Sequence, residues 1–469
     1  MRRENSFGHI FLYILLVLLC VGLVLLVFLN WRANAEQQEQ LAAEQAAAET
    51  TPTPVPTATP EPTPEPVRST ENITLAFAGD LVSQVQLTSN AEHYDGDTVR
   101  YDYSDELADI TSILQRADYC GCTFVGTIRD GSDYGNYEMA PDIGAALSVT
   151  GFQMISTATD HILDRGLDGV QETVDTLRGD GLIVVGASSE AGEDSYYIQT
   201  INGINVAFLS YTCGTGGQSA AEYSWAVNIL TTDYMTDQDS IDKDRVTADI
   251  AAAREAGADI VVCYVYWWED NQYYTTVRDN ESELAQYLCE NGVDILIGGG
   301  IKMPQPIETM TVDRADGTRA NCVVCYSLSN LMSCFTDDDT ELGAIAMIDI
   351  SRDIDTDEVW VSGVSYEPLF MLNTERYPAT KTEEDDGQSE DGEDTEAAEE
   401  EDGEEDLTPV EYTLSVLDAR AAAEDYEDGD QWLTNTAFDA VSRGILRLQE
   451  IMGEQYDSIN GGVTLDYPG

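Results

Sequence analysis

Basic residues are scarce in this chain, where 22 lysines and arginines stand against 88 aspartates and glutamates. The formal net charge is −66 at pH 7. A protein that binds nucleic acid needs a basic surface to meet the phosphates. The composition therefore excludes a nucleic-acid-binding protein of the usual kind.

Histidine is scarce as well, with three residues in 469, of which only His93 and His161 follow residue 29. A two-metal hydrolase centre holds its ions with carboxylates and several imidazoles. The sequence therefore offers few of the ligands that such a centre needs.

Cysteine is more plentiful, and eight of the nine cysteines follow residue 29. An even number would permit disulfides in an oxidising compartment. The close pairs Cys120 and Cys122, and Cys322 and Cys325, stand in apolar, strand-like runs without a histidine nearby. We expect small buried side chains or one or two disulfides there rather than a zinc site.

One long apolar run lies near the N-terminus. Residues 10–29 carry no charge, and at about 1.5 Å per helical residue they cover roughly 30 Å, the thickness of a bilayer core. The apolar region of a cleaved signal peptide is shorter, about 7–15 residues. We predict a transmembrane anchor at residues 10–31 that contacts membrane lipid through residues 10–29, although Ala33-Asn34-Ala35 resembles a cleavage site.

The charges around this run set its expected orientation. Arg2 and Arg3 precede it, whereas an acidic, proline-rich stretch follows it. Because basic residues favour the cytoplasmic side, residues 1–9 are expected in the cytoplasm. The predicted location is the cell membrane, with a single pass and an extracellular C-terminal domain.

Two stretches cannot form a hydrophobic core. Half of the fourteen prolines lie between Pro52 and Pro66, which favours an extended spacer. Sixteen of the 24 residues from Glu383 to Asp406 are acidic, which is typical of disorder. The predicted organisation after the anchor is an Ala/Gln- and Pro-rich extracellular stalk at 32–71, a folded domain at 72–380, an acidic disordered insertion at 381–408, and a C-terminal strand and helix at 409–469 that pack back on the domain.

The folded part alternates β-rich runs, such as those at 119–125 and 204–212, with helical patterns, such as the one near 105–116, from Ile73 to Gly299. Nearly continuous apolar strands of this kind are typical of an α/β fold in which helices cover the sheet. Strands near 322–327, 343–350 and 358–366 follow without helices between them, which favours a second sheet packed on the first. We therefore predict a layered sandwich with its functional side chains at strand ends.

Four motifs at these strand ends carry a family resemblance. They are FAGD at 77–80, STATDHILDRG at 156–166, IGGGIKMPQPIE at 297–308 and CYSLSN at 325–330. In this order they resemble the capsule-synthesis protein CapA family over about residues 72–375. The resemblance implies a part in poly-γ-glutamate or capsule production. It also implies an α/β/β/α sandwich like that of the calcineurin-like metallophosphoesterases, with a two-metal site at the strand ends.

Most of the family's metal-site positions are changed in this chain. Asp80 matches the first acidic ligand, and Asp160-His161 stands where Asn-His is usual. The replaced motifs are Asn-Leu-Glu by Thr123-Phe124-Val125, His-Trp-Gly by Tyr266-Trp267-Trp268 with Glu269 following, and Gly-His-x-His by Gly300-Ile301-Lys302. Each metal ion needs about four or more ligands. We therefore expect no cofactor, or at most one divalent metal ion.

The predicted binding cleft consists of Lys302, Tyr266 and Trp268, which stand at changed positions, and of Asn330, the last residue of the CYSLSN motif. Lys302 would repel a metal ion, and its ammonium group could neutralise the remaining carboxylates instead. Strand alternation places Tyr266 and Trp268 on one face together with Tyr264. These rings either fill the space of the absent ligands or form a platform for a sugar or a peptide.

Two functions remain open at this point. The preferred one is a tethered, non-catalytic binding or assembly protein whose partner is an envelope polymer or a polymer-synthesis protein. The alternative is a divergent hydrolase or transferase that acts on phosphoester or γ-glutamyl substrates. It would use one metal at Asp80 and Asp160, with His161 as the acid and Glu269 as a helper.

Overall fold

The computed structural model describes residues 68–95, 98–267, 273–377, 413–429 and 433–468. The predicted anchor at 10–31 and the predicted acidic insertion at 381–408 lie outside these residues, as does the stalk up to residue 67. Within the described part of the chain, no helix is both long and apolar enough to cross a membrane.

The strands are numbered in chain order. They are β1 (Thr70–Val82), β2 (Glu92–Asp95), β3 (Thr98–Tyr101), β4 (Tyr119–Val125), β5 (Thr127–Ile128), β6 (Glu138–Met139), β7 (Met154–Ser156), β8 (Ile183–Val185), β9 (Tyr196–Ile201), β10 (Ile204–Thr212), β11 (Thr231–Asp233), β12 (Asp237–Ile241), β13 (Ile260–Tyr266), β14 (Ile295–Gly299), β15 (Ile307–Asp313), β16 (Arg319–Cys325), β17 (Asn330–Met332), β18 (Leu342–Asp353), β19 (Val359–Asn373), β20 (Leu414–Asp418) and β21 (Val463–Thr464).

The α-helices follow the same order. They are α1 (Val85–Asn90), α2 (Ser104–Leu107), α3 (Thr111–Leu114), α4 (Asp142–Thr150), α5 (Gly166–Gly179), α6 (Lys243–Glu255), α7 (Asp279–Glu290), α8 (Ala419–Asp428) and α9 (Asn435–Leu448).

The first sheet has the strand order β20-β19-β18-β1-β4-β7-β8, and β17 also pairs with β1. The strands β1, β4, β7 and β8 are parallel to one another. The strand β18 runs antiparallel to β1. Every residue from Phe77 to Val82 of β1 is buried, because the strand lies at the centre of the sheet with both faces covered.

The second sheet has the order β15-β16-β14-β13-β10-β9. Its inner strands β10, β13, β14 and β16 are parallel, and the antiparallel strands β9 and β15 form its edges. The carboxyl ends of parallel strands meet at one edge of a sheet. This arrangement gives each sheet an edge at which side chains can converge.

The two sheets pack face to face around a shared apolar core. Phe77 of β1 contacts Tyr264 of β13 edge to face, with ring centroids 5.9 Å apart. A Cβ at Gly121 of β4 would lie 2.8 Å from the Tyr264 hydroxyl oxygen, so glycine allows this close approach. Further cores lie on the outer faces, under α4 and α5 on the first sheet and under α6 and α7 on the second.

The C-terminal segment completes the first sheet. The strand β20 pairs with β19. Ala437 and Val441 of α9 belong to the same core as Phe370 of β19 and Leu417 of β20. The helices α8 and α9 therefore cover the part of the first sheet that the second sheet does not reach.

The predicted mixed α/β class is confirmed, but the assignment of the late strands is different. The strands near 343–350 and 358–366 join the first sheet beside β1, and the second sheet is formed by strands from the middle of the chain. The physical reason is that one edge of β1 is available for backbone hydrogen bonds, and β18 pairs with this edge in antiparallel direction from Thr70 to Ala78. The predicted helix near 105–116 is divided into α2, a short 3₁₀ turn and α3.

The four cysteines of the two close pairs are free thiols. Cys120, Cys122, Cys322 and Cys325 are all buried. Of the two expectations for these pairs, the structure therefore agrees with small buried side chains and not with disulfides.

Candidate functional site

The carboxyl ends of strand β1 of the first sheet and strand β14 of the second sheet lie next to each other. Asp80 lies near the end of β1, and Gly299 and Gly300 lie at the end of β14. The Gly300 N–H donates to Asp80 Oδ2 at 2.6 Å. A Cβ at Gly299 would lie 2.6 Å from Asp80 Oδ1. The glycines of the predicted motif therefore let the second sheet approach the Asp80 carboxylate closely.

The backbone of β1 is held on its other side by the segment before β17. The Asp80 N–H donates to the Ser329 carbonyl oxygen at 2.9 Å, and Ser329 has a positive φ of 60°. A Cβ at Gly79 would overlap that same carbonyl oxygen. Glycine at position 79 is therefore required for the placement of Asp80.

The variant Gly79→Ala should lose about 1–3 kcal/mol of unfolding free energy, because the added methyl group forces β1 and the Ser329 segment apart. Urea unfolding followed by tryptophan fluorescence measures this loss. Gly179→Ala is a matched control, since a Cβ there meets no atom within 4 Å and alanine favours the helix. Equal stability of the two variants would contradict the tight packing at Gly79.

Asp80 is a buried carboxyl group with an unsatisfied oxygen. Its exposure is 3%, and Oδ1 has no hydrogen-bond partner among the described residues. The pKa of Asp80 is raised to about 7, by burial first of all and also by the charge of the nearby Asp160, against the lowering effects of the Gly300 N–H and the Thr123 hydroxyl. A negative charge at Asp80 therefore has little compensation from the protein around it.

Asp160 lies in the same cleft and is also buried. Burial raises its pKa above the ordinary value, whereas His161, a hydrogen bond from the Tyr266 phenol and the charge of Lys302 lower it. Its Oδ1 has no partner in the described part of the chain. The structure thus brings together four residues that were predicted from the sequence as site residues: Asp160, His161, Tyr266 and Lys302.

His161 is fixed in place by three neighbours. Its Nδ1 lies 2.8 Å from Asp164 Oδ2, and its Nε2 lies 3.5 Å from Asp160 Oδ2. Its ring stacks on Tyr137 with centroids 3.3 Å apart and an interplanar angle of 9°. Tyr137 was missed in the sequence, because it follows no strand end that a motif marks.

Lys302 lies against aromatic rings. Its Nζ is 4.6 Å from the ring centroid of Phe335 and 5.1 Å from that of Tyr273. Burial lowers the pKa of Lys302, and the negative charges of Asp160 and Asp337 oppose this. Lys302 acts on Asp160 as a charge, whereas the hydrogen bond to Asp160 comes from Tyr266.

Asn330 forms the floor of the cleft next to Asp80, its register partner in β1. Its Nδ2 donates to the carbonyl oxygens of Lys302 at 3.1 Å and Thr340 at 3.2 Å. Its Oδ1 has no partner in the described structure. Asp80, Asp160 and Asn330 therefore each contribute a buried acceptor oxygen without a donor.

An aliphatic side chain, Val125, and an aromatic one, Tyr266, fill two positions at which the resemblance implies metal ligands. Val125 packs with Val82 and the buried ring of Tyr266, and burial raises the pKa of the Tyr266 phenol well above its ordinary value. The Tyr266 ring lies within 3.1 Å of a Cβ position built at Gly300. The Tyr266 ring therefore fills space in the core. The ring of Tyr273, in contrast, is 37% exposed and lies beside Lys302 at the cleft.

Two predicted site residues, Trp268 and Glu269, lie outside the described residues. Their predicted roles stay predictions.

The described residues do not fit a two-metal centre. In this part of the chain, no group of three or more histidine, cysteine, aspartate or glutamate side chains is arranged to hold a metal ion. The unsatisfied oxygens of Asp80, Asp160 and Asn330 are hard donors of the kind that one divalent cation prefers. Their number falls short of the ligands that a pair of ions needs.

Comparisons with known proteins agree with the resemblance of the motifs. The family described as bacterial capsule synthesis protein PGA_cap matches residues 74–334, more than half of the chain. The PGA biosynthesis protein CapA of Bacillus subtilis (strain 168) is 23% identical over 273 residues, which cover 56% of this chain and 64% of that protein. The capsule biosynthesis protein CapA of Bacillus anthracis is 22% identical over 275 residues, with 56% and 61% covered.

Two further similarities are more partial. A "probable polyglutamine synthesis accessory protein" of Mycobacterium tuberculosis is 29% identical over 177 residues, 37% of this chain and 45% of that protein. A solved structure of a hypothetical protein from Thermus thermophilus has a TM-score of 0.36 at 10% identity, covering 63% of this chain and 98% of its own, a similarity too low to support a conclusion. The chain spans less than two thirds of the length of the two Bacillus relatives.

The family match includes the strand ends that form the cleft, from Asp80 to Asn330. The resemblance drawn from the four motifs is thereby confirmed. The chain belongs to the bacterial capsule synthesis protein PGA_cap family.

Proposed function

We propose that this chain is a membrane-anchored extracellular component of capsule or poly-γ-glutamate biosynthesis that binds a polymer, or a polymer-synthesis protein, without catalysing a reaction. Its family and the names of its relatives support a part in capsule or poly-glutamate biosynthesis. The observation that carries the non-catalytic role is the replacement of metal ligands by Val125 and Tyr266, which pack together beside Asp160.

The cleft has the chemistry of a binding site for hydrogen-bond donors. A buried acceptor without a donor costs about 1–3 kcal/mol, and Asp80, Asp160 and Asn330 each present one. Because these oxygens are buried, a ligand with ammonium, amide or hydroxyl groups would satisfy them only where the cleft opens to admit it. Both peptides and glycans carry such groups. Lys302 at the rim supplies a positive charge for a ligand carboxylate.

The proposed anchor is residues 10–31, with its apolar run at 10–29, and the proposed stalk is residues 32–71, which include the proline-rich stretch from Pro52 to Pro66. At about 3.1 Å per residue, an extended stretch of this length reaches roughly 45 Å. Contact with membrane lipid would keep the domain near the outer surface of the cell membrane, where an exported polymer emerges. The anchor would therefore raise the local concentration of ligand at the cleft.

The full-length chain, purified without chelators, should contain well below one Mn, Fe or Zn ion per molecule in elemental analysis. It should release neither phosphate from phosphoesters nor glutamate from γ-glutamyl peptides with any added divalent metal.

The same chain should bind a γ-glutamyl oligomer in a titration followed by fluorescence anisotropy. The variant Lys302→Gln should weaken that binding about tenfold, the loss of one charge-assisted contact. Stoichiometric metal together with turnover would contradict the proposal.

The unsatisfied oxygens also favour a second candidate, a single-metal hydrolase or transferase. In that case Asp80 and Asp160 would hold the ion, which would polarise the substrate, and His161 would act as the acid. Turnover that is abolished by Asp80→Asn and by His161→Ala, in variants that remain folded, would support this candidate over the binding protein.

A further inference from the structure

The second sheet ends on one side in the strand β9, whose outer edge is open. In the described part of the chain, β9 pairs with β10 and with no other strand. No backbone group of another element bonds to residues 196–201 among the described residues. An edge strand of this kind presents a row of unpaired N–H and C=O groups. The edge of β9 is therefore a surface to which a further strand can be added.

The turn before β10 determines which backbone groups of β9 face outwards. Asn202 and Gly203, with φ of 47° and 87°, form a two-residue turn, and Ile201 lies opposite Ile204. The residue pair that closes such a turn exchanges hydrogen bonds, and the direction alternates from there along the strand. The outward groups therefore belong to every second residue, namely Tyr196, Ile198 and Thr200.

The surroundings of Thr200 agree with this direction. Its carbonyl oxygen accepts from Gln199 Nε2 at 3.1 Å, a side-chain donor that the N–H of an added strand can replace. Its own side chain is exposed, and the hydroxyl donates to Asn205 Oδ1 at 2.8 Å. Position 200 can therefore be altered without the loss of a buried contact.

The other three edges of the two large sheets are protected in ways that are usual for edge strands. At β20, the Asn90 side chain bonds both the N–H and the carbonyl oxygen of Leu414, at 3.0 Å and 3.3 Å. The strand β8 has only 3 residues, and β15 carries the exposed charges of Glu308 and Asp313. By contrast, β9 has the sequence YYIQTI, without a charge or a proline. Its edge thus lacks the protection that the other three have.

The side chains of β9 are half-covered on both faces of the sheet. Tyr197 packs against the core between the two sheets, whereas Tyr196 and Ile198 pack against the core under α6. All three side chains are only partly buried. An added strand would extend both faces and cover the rest of these side chains, which favours β-branched or apolar residues at its centre.

The end at which the chain enters β9 is acidic. Glu193 and Asp194 lie just before the strand and are exposed. Arg178 pairs with Glu193 at 2.5 Å, so these three residues together keep a negative charge. A basic residue of an added strand would be attracted to this end.

The opposite end of β9 is acidic as well. Asp118 and Asp259 accept hydrogen bonds from the hairpin of β9 and β10, at 2.9 Å and 2.8 Å. Arg352 lies near the same turn and pairs with Asp357 at 2.5 Å. The net charge of these four residues is negative, so this end also favours a basic residue in a partner.

We propose that β9 is a docking strand for an extended segment of a partner protein, with uncharged, β-branched or apolar residues at the centre of that segment and basic residues at both ends. Backbone hydrogen bonds to the outward groups would supply the affinity, and the side chains and end charges the specificity. A second copy of this chain is the poorer occupant, because its β9 has the same acidic residues at both ends and its net charge is −66. The strand shares no residue with the cleft at Asp80, so the inference goes beyond the proposed function.

The test uses the full-length chain in detergent and a fluorescent peptide of about ten residues, in which threonine and valine alternate between lysines at both ends. The peptide should bind, and added salt should weaken the binding because it screens the end charges. Thr200→Pro should weaken binding about tenfold, since it removes one outward N–H. Thr200→Val is the matched control, because it also loses the hydroxyl but keeps the N–H. Thermal unfolding checks that both variants are folded.

Two further readouts locate the contact. Bound peptide should slow hydrogen exchange at the amides of Tyr196, Ile198 and Thr200. A peptide with the same side chains but with N-methyl groups on alternate residues should not bind, because it lacks the donors for a new ladder.

The outcomes are distinct. Weakened binding in Thr200→Pro with unchanged binding in Thr200→Val supports the docking strand. The proposal is overturned if the wild-type chain does not bind the peptide, if the N-methylated peptide binds equally well, or if Thr200→Pro binds as the wild type does. Dimers in sedimentation that tighten with salt and are lost in Thr200→Pro would overturn the assignment to a partner protein and make β9 a contact between copies. None of these results alters the metal content or the ligand binding expected for the cleft.

Discussion

The variant Asp80→Asn should become more stable relative to the wild-type chain as the pH rises from 5 to 8. The difference in unfolding free energy between the two proteins should change by about 2–3 kcal/mol over this range, because one pKa unit corresponds to about 1.4 kcal/mol. Urea unfolding at several pH values, followed by tryptophan fluorescence, measures it.

The direction follows from the protons that each state binds. The pKa of Asp80 is about 7 in the folded chain and is expected near the ordinary value of 3.8 after unfolding. Between these values the folded state binds more protons than the unfolded state, so its stability falls as the pH rises. The stabilising effect is complete below pH 3.8 and is lost by about pH 7. Asparagine cannot ionise, and the variant therefore lacks this decline.

The comparison isolates Asp80 from other buried acids. Glu106, whose pKa burial also raises to about 7, is present in both proteins, and its effect cancels in the difference. Asp313→Asn is the matched control, since it makes the same carboxylate-to-amide change at a side chain that is 92% exposed. A constant difference for Asp80→Asn would mean that a bound cation compensates the charge of Asp80, and a chelator should then restore the decline.

The fold was predictable from the sequence to the extent that apolar runs mark buried strands. Residues 119–125 and 204–212 were predicted as strands and form β4 and β10 with the same bounds. Their side chains are all buried or nearly so, which gives a continuous apolar signal. The edge strands β9 and β15 were missed, because most of their residues are only half-buried or exposed and polar residues interrupt their pattern.

The cleft was predictable only in part. Asp80, Asp160, Tyr266, Lys302 and Asn330 come together because each lies at or near a strand end, and the ends of parallel strands meet at one edge. Tyr137 and Phe335, which contact His161 and Lys302, lie on loops whose path no local pattern determines.

The variant Asp294→Ala should lose about 3–5 kcal/mol of unfolding free energy, the cost of removing one member of a buried ion pair. Asp294 is 5% exposed and lies directly before β14. Its Oδ1 accepts from Arg314 Nη2 at 2.8 Å and its Oδ2 accepts from the Val261 N–H at 2.7 Å. Arg254 donates to the same carboxylate. One side chain thus connects β13, β14, α6 and the segment after β15.

The size of the loss follows from what alanine leaves behind. The Arg314 side chain is 11% exposed, so its charge cannot reach water without a rearrangement of the second sheet. Asp294→Asn keeps the shape and an acceptor oxygen but not the charge, and it should recover part of the loss. The exposed pair of Asp313 and Arg319 offers the contrast, since Asp313→Ala should cost no more than about 1 kcal/mol. If urea unfolding gave Asp294→Ala and Asp313→Ala the same stability, the buried carboxylate would not be what holds β13 to β14. If the stability of Asp294→Asn lies between those of Asp294→Ala and Asp313→Ala, the charge of Asp294 and its hydrogen bonds both stabilise the second sheet.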